Sequence, residues 1–403
     1  MDSAIFAYRD KVPAASGTGL LKGRSISVQA NLSVAGWPTE AGSLALKGFK
    51  AIEDATVVSR LRAQGASLVG STRMSELGLG LRGDEAARAV AEGIVDIALL
   101  TDHLGEARLA AAKTGLIGYK PSYGLVSRYG LFGLIPSMEA IGILARSATD
   151  IAAVMAAIAG RDEKDFSMPE EEVPGFLNGS GQPPVRTLGW IRESVAFLER
   201  QQREAFLRAL EAFAKAGLTL VETSVKDFEL FRVVHQIVGA VEASSAAGKY
   251  DGVRFGYRTP SAKNWNDMYL KTRGEIFGPV VKPYLFQGAY YQFMKYGVFE
   301  KACRLRSHLI RESQRLFGEV DALAMPALRG GVDPCEAGSV TALYDAFLFT
   351  LPASLTGLPA VCFPRDAGSP TGCQGIQLIG PRLGDAGLLA LAGEGLKHTT
   401  KEF

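Results

Sequence analysis

Gly115-Leu116-Ile117-Gly118-Tyr119-Lys120-Pro121-Ser122-Tyr123-Gly124-Leu125-Val126-Ser127-Arg128-Tyr129-Gly130 is the most informative stretch of this chain. Directly ahead of it runs Leu100-Thr101-Asp102-His103-Leu104-Gly105-Glu106-Ala107-Arg108, which gathers Asp102, His103, Glu106 and Arg108 into one short segment. His103 and Glu106 are one helical turn apart, a carboxylate–imidazole spacing that suits acid–base work or metal ligation. Asp, His and Glu at short spacing are also common in loops, and the residues alone favour a solvated loop over a new site.

Outward from this core, the chain alternates strands and helices. Apolar positions Ile26 and Val28 within residues 22–34 read as a strand. Asp54 is expected to cap a helix from Ala55 to Gln64, closed by Gly65, and Ala66–Gly70 reads as the next strand. That order implies a parallel pair. An Ala-rich helix over 84–92 and a strand over 94–100 follow. Residues 161–184, rich in Asp, Glu, Pro, Gly and Ser without periodicity, read as a solvated loop or linker. A strand at 187–191 and an amphipathic helix at 201–215 resume the pattern. Residues 229–320 read as largely helical, ending in a basic helix at 298–317 whose Arg304, Arg306, Arg311 and Arg315 suggest a solvated face. Strands at 322–325 and 375–378 and a helix at 385–394 close the chain. Tyr250-Asp251-Gly252-Val253 reads as a hairpin turn. The whole of 1–403 is expected to form one α/β domain with a helical insertion.

Composition sets bounds on partners. The chain has 403 residues, 47% hydrophobic and 21% charged, enough to bury a substantial core. Its 44 Lys and Arg nearly cancel its 42 Asp and Glu, so charge points to neither nucleic acid nor an acidic membrane. Cys303, Cys335, Cys362 and Cys373 have no zinc-like spacing, so reduced thiols are expected, with no metal and no cofactor. Residues 1–6 lack the pattern of a signal peptide, and no apolar run approaches the ~20 residues of a membrane span, which suggests a cytoplasmic protein.

The 115–130 stretch resembles the G-(V/L)-(V/I)-G-(L/M)-K-P-(T/S)-Y-G-x-V-S-R-(Y/F)-G block of the amidase signature family. The likeness extends to Asp54–Ala66, to Glu242-Ala243-Ser244-Ser245 with Tyr250–Gly256, to Leu351–Ala360 and to Gly375–Gly380. Within that family the chain is most similar to the A subunits of tRNA-dependent amidotransferases. The resemblance implies a large mixed β-sheet covered by helices on both faces, and an N-terminal region shortened to about residues 1–20.

It also implies where chemistry should sit. The family works through a Ser–cis-Ser–Lys triad in which a lysine kept neutral by burial activates the nucleophile through a bridging serine. Aligning Asp102, Gly105 and Arg108 with the G-(S/T)-D-T-G-G-S-(I/V)-R pattern places Glu106 at the nucleophile. Ser71 takes the lysine's place, Arg82 that of the cis-serine, and Gln29 and Ala30 replace a further lysine and aspartate. The loop Asp102-His103-Leu104-Gly105 corresponds to the oxyanion segment, where His103 and Leu104 should obstruct the backbone donors. Pro283 and Tyr284 stand where an arginine would hold the substrate carboxylate. The expected function is therefore an inactive amidase-like protein acting through a protein partner (amidotransferase-like subunits or a second copy) or an unknown small ligand. The alternatives are a repurposed enzyme using Asp102, His103, Glu106 and Arg108, or a residual amidase. His235, His308 and His398 are assigned no role beyond the ordinary.

Overall fold

Alternation of short β-branched runs with Ala-rich helices builds a sheet whose central strands are buried on every residue. The computed structural model describes residues 2–11, 17–81, 83–177, 184–329, 333–364 and 375–399. Its strands are β1 (Phe6–Arg9), β2 (Ser25–Gln29), β3 (Ser67–Thr72), β4 (Ile97–Asp102), β5 (Ile117–Lys120), β6 (Ala140–Ala145), β7 (Thr187–Ile191), β8 (Thr219–Thr223), β9 (Ala322–Pro326), β10 (Ala360–Phe363) and β11 (Ile376–Ile379). They form one sheet of 11 strands in the order β1-β3-β2-β4-β6-β5-β10-β11-β9-β7-β8.

The sheet is mixed. β1 pairs antiparallel with β3 at one edge, β3, β2 and β4 then run parallel, β9, β7 and β8 run parallel at the other end, and the strands between pair antiparallel. Successive side chains of a strand point to opposite faces. In β4, β5, β6, β9, β10 and β11 every residue is buried, so helices cover both faces there. Among the described residues no strand falls between β8 and β9. That interval holds helices Leu230–Ala246, Trp265–Ile276, Val281–Ala289 and Tyr296–Leu316, as the helical insertion requires.

Helix Glu106–Thr114 links β4 to β5 and carries the segment of interest. It packs so tightly on β5 that a Cβ at Gly118 would collide with the carbonyl of Ala107. A side chain there would push the helix off the sheet.

Several local expectations fail. Asp54 does not cap its helix: Ala55 is the N-cap with no side-chain bond, and Asp54 instead accepts from the Ala35 amide (2.8 Å) and pairs with Arg62 (3.4 Å). Tyr250–Val253 makes no hairpin, because it joins two helices rather than two strands, and Tyr250 is fully buried. Arg306 is not part of a solvated face. It is drawn inward to donate to the Leu355 carbonyl (2.9 Å), Ser137 Oγ (2.6 Å) and the Ser137 carbonyl (2.8 Å). The described part of 161–184 has neither helix nor strand. Two of its acids are nonetheless anchored: Asp162 takes the Thr56 and Ser127 hydroxyls, and Asp165 takes the Arg128 amide.

Candidate functional site

β4 ends on Asp102, and the chain then turns through His103, Leu104 and Gly105 into the helix that begins at Glu106. Gly105 caps this helix with φ 133°, a conformation that favours glycine, and a Cβ there would run into the Thr350 side chain. The first amides of a helix have no intrahelical acceptor and converge on whatever anion sits before them.

Here the anion is the chain's own Glu106 carboxylate. Its Oε2 accepts from the backbone amides of His103 (2.9 Å), Leu104 (2.9 Å) and Gly105 (3.1 Å), and its Oε1 from that of Gly80 (3.2 Å). The expectation that His103 and Leu104 would obstruct these donors is therefore wrong. Side chains at those positions leave the amides free to point inward, and the donors are occupied rather than blocked.

Asp102 and Arg108 face each other across the same turn. Arg108 donates from Nη2 to Asp102 Oδ1 (2.7 Å) and from Nε to Oδ2 (3.1 Å). The rest of its guanidinium is taken by the Thr350 carbonyl (2.8 Å), Gln377 Oε1 (2.7 Å) and Ser354 Oγ (2.7 Å). Every member is buried, so the charge is balanced by one carboxylate and its remaining protons by fixed acceptors.

Asp102, His103, Glu106 and Arg108 are thus all sealed from solvent, at 0–1% exposure, and the solvated-loop reading is overturned. Drift into solvent fails because the helix start and the Arg108 network pull all four inward. The His103 imidazole lies 3.5 Å from Glu106, and neither of its ring nitrogens has a hydrogen-bond partner.

Ser71 lies apart from this group. It sits on β3, two strands from β4 with β2 between, and the register sets it level with Leu99 rather than Asp102. Its hydroxyl is buried without a partner. Gln29, on the intervening strand, accepts from the Thr101 amide at 3.0 Å. Arg82 and Cys373 lie outside the described residues.

His235 was missed by sequence reasoning. It is fully buried, and its Nε2 reaches the His103 carbonyl at 3.0 Å. A carbonyl can only accept, so Nε2 carries the proton and Nδ1 accepts from Tyr344 (3.0 Å), whose oxygen in turn takes the Tyr284 hydroxyl (2.8 Å). Burial drives the His235 pKa down to about 3, which keeps the ring neutral in this chain of bonds. Tyr284, at a position expected to hold a substrate arginine, is thereby absorbed into the scaffold. No spacing in the sequence links 103, 235, 284 and 344. By contrast, Ser354 and Gln377 lie in the two C-terminal blocks already singled out.

Lys120, in the opening stretch, is buried with its Nζ on the Pro121 carbonyl at 2.9 Å. Burial, reinforced by the nearby Arg108 charge, lowers its pKa to about 7. Beside it, Asp385 accepts from the Tyr119 hydroxyl and from the Ser122 amide (2.9 Å) and hydroxyl (2.6 Å), and burial raises its pKa. Among the described residues no cluster of three or more metal-ligating side chains occurs, and no helix is long and apolar enough to cross a membrane.

This fold matches known proteins. The Amidase family profile covers residues 4–88 and 83–389, so the chain belongs to the amidase family. It is 33% identical to the A subunit of glutamyl-tRNA(Gln) amidotransferase from Latilactobacillus sakei subsp. sakei (strain 23K), over 90% of this chain and 80% of that protein. It is 34% identical to the protein of the same name from Natronomonas pharaonis, over 92% and 94%. The crystal structure of the corresponding protein from Thermotoga maritima superposes with a TM-score of 0.78 at 25% identity, covering 96% of this chain and 85% of the other.

Proposed function

We propose that this protein is a non-hydrolysing relative of the amidotransferase A subunits, in which Glu106 has replaced the nucleophile and its carboxylate plugs the anion-stabilising cradle. The observation that carries this reading is the set of backbone amides, from His103, Leu104, Gly105 and Gly80, spent on the Glu106 carboxylate. In acyl transfer such donors must await the oxyanion of the transition state. A tethered carboxylate at 2.9–3.2 Å competes with it in both charge and space. The resemblance adds Ser71 and Arg82 in place of lysine and cis-serine. Loss of the nucleophile alone costs on the order of 10⁶ in turnover where such residues act as a unit.

A role through partners follows from the same resemblance, since the similar proteins are named as subunits. Support comes from the helical insertion, where Phe286, Phe293 and Met294 are 69%, 76% and 71% exposed, unusual for large apolar side chains without a covering surface.

The test is ammonia release from glutamine, asparagine and simple amides. The expected result is a rate equal to that without protein. Turnover that Glu106→Ala abolishes would overturn the reading and favour a repurposed site, for which the unpartnered His103 imidazole beside Glu106 is the specific support.

A further inference from the structure

The far end of helix Glu106–Thr114 holds a second cluster with no part in the amide site. Lys113 Nζ lies 3.0 Å from Cys335 Sγ and 2.6 Å from Asp333 Oδ1. Asp333 Oδ1 also accepts from the Cys335 amide at 2.8 Å, which holds the sulfur facing the lysine. The Gly83 backbone, from a third part of the chain, lies beside the same sulfur. The site is reachable: the Lys113 side chain is 24% exposed, that of Asp333 42%, and Cys335 is half-buried. No third metal ligand joins it among the described residues.

A lysine ammonium stacked on a cysteine sulfur at hydrogen-bond distance, with a carboxylate on its other side, places three components of one reaction within contact. We propose that Lys113 and Cys335 form an oxidation-dependent covalent nitrogen–oxygen–sulfur bridge, with dioxygen as the oxidant. One oxygen atom inserts between sulfur and nitrogen, forming an S–O and an O–N bond, while the O–O bond, the S–H bond and two ammonium N–H bonds break. The second oxygen leaves as water with the thiol hydrogen and one ammonium hydrogen, the other released ammonium proton passes to Asp333, and one hydrogen stays on nitrogen. Sulfur and nitrogen are oxidised and dioxygen is reduced by four electrons in all. Thiol reductant reverses the linkage.

The link ties residues 333–336 to the helix that starts at Glu106, beside Gly83 of the 80–84 loop. Its formation would therefore fix residues 333–336 covalently to that helix, whereas the reduced form leaves them held by non-covalent contacts, the Lys113–Asp333 ion pair among them. The carboxylate matters as proton acceptor, so the proposal requires all three side chains, not the thiol alone.

Full-length protein purified with reductant and without oxygen would be split, one half exposed to air-saturated buffer, and both halves weighed intact and after trypsin. The expected product gains one oxygen and loses two hydrogens, joins the peptides containing Lys113 and Cys335, resists cleavage after Lys113, and returns to the starting mass with dithiothreitol. Lys113→Arg, which keeps the charge and the fold, and Cys335→Ser should both lose the linked peptide completely, and Asp333→Asn should form it several-fold more slowly. Cys335 carrying oxygen alone while trypsin still cuts after Lys113 would overturn the bridge, as would an unchanged mass after exposure. A linked peptide surviving in Lys113→Arg would overturn the assignment of the partner.

Discussion

Asp102 and Glu106 are two buried carboxylates four residues apart, neutralised by different means. Asp102 is held by a side chain, Arg108, which is itself fixed by Thr350, Ser354 and Gln377 from 242 to 269 residues further along the chain. Glu106 is held by the backbone amides of the turn it closes, with Gly80, among the described residues, contributing from outside that turn. One anion depends on the assembled sheet; the other would find most of its donors in an isolated helix start. The first is thus a structural pair that cannot lose a member, and the second is a local plug that can be removed.

That contrast predicts unequal costs. Arg108→Met should destabilise by roughly 3–5 kcal/mol, because Asp102 is left charged and buried without a counterion. Asp102→Asn combined with Arg108→Met should recover much of that loss. Urea unfolding of the three proteins decides it: equal losses for the single and double variants would mean that packing, not charge, holds the turn.

Glu106→Ala should cost less, about 1–3 kcal/mol, as the freed amides lose their acceptor but no charge is left buried without its partner. A Glu106→Ala loss as large as that of Arg108→Met would erase the proposed distinction between side-chain and backbone neutralisation.

Lys120 sharpens the comparison through pH. Its folded pKa is about 7 against 10.5 for the free side chain, so between those values the unfolded chain binds more protons. Stability should rise with pH across that window by up to about 1.4 kcal/mol per unit from this group, and this slope should vanish as pH falls through 7. Lys120→Met should flatten the slope of unfolding free energy measured from pH 7 to 9; an unchanged slope would assign it to other groups.

The smallest effect expected is none. Ser71→Lys, Arg82→Ser and Glu106→Ser together should release no ammonia from glutamine, even though the backbone donors of the turn survive. The obstacle is instead the substrate end: Tyr284 is locked to Tyr344, and no guanidinium is positioned at 283 or 284 to hold a carboxylate. Glutaminase turnover by this triple variant would show that the substrate end still holds glutamine and that these three positions alone account for the loss.

The stretch at 115–130 and the four blocks matching it in order were sufficient for the family and the mixed α/β sheet, because strand and helix periodicity and a motif's order survive in one dimension. The sequence also placed Glu106 in one short segment with Asp102, His103 and Arg108, but not at the start of a helix, which the structure supplied. It could not say that these residues are buried: charged side chains at short spacing look identical in a solvated loop and in a closed turn. Burial was decided by Thr350, Ser354 and Gln377 arriving from the far side of the sheet and by His235 with Tyr344 and Tyr284 gripping the His103 carbonyl. Whether the amides beside His103 and Leu104 were obstructed or occupied was likewise invisible, since it depends on the direction of backbone N–H groups, which are set by the turn's dihedral angles rather than by residue type. Local pattern determined where the carboxylate stands; only the packed structure determined what it closes.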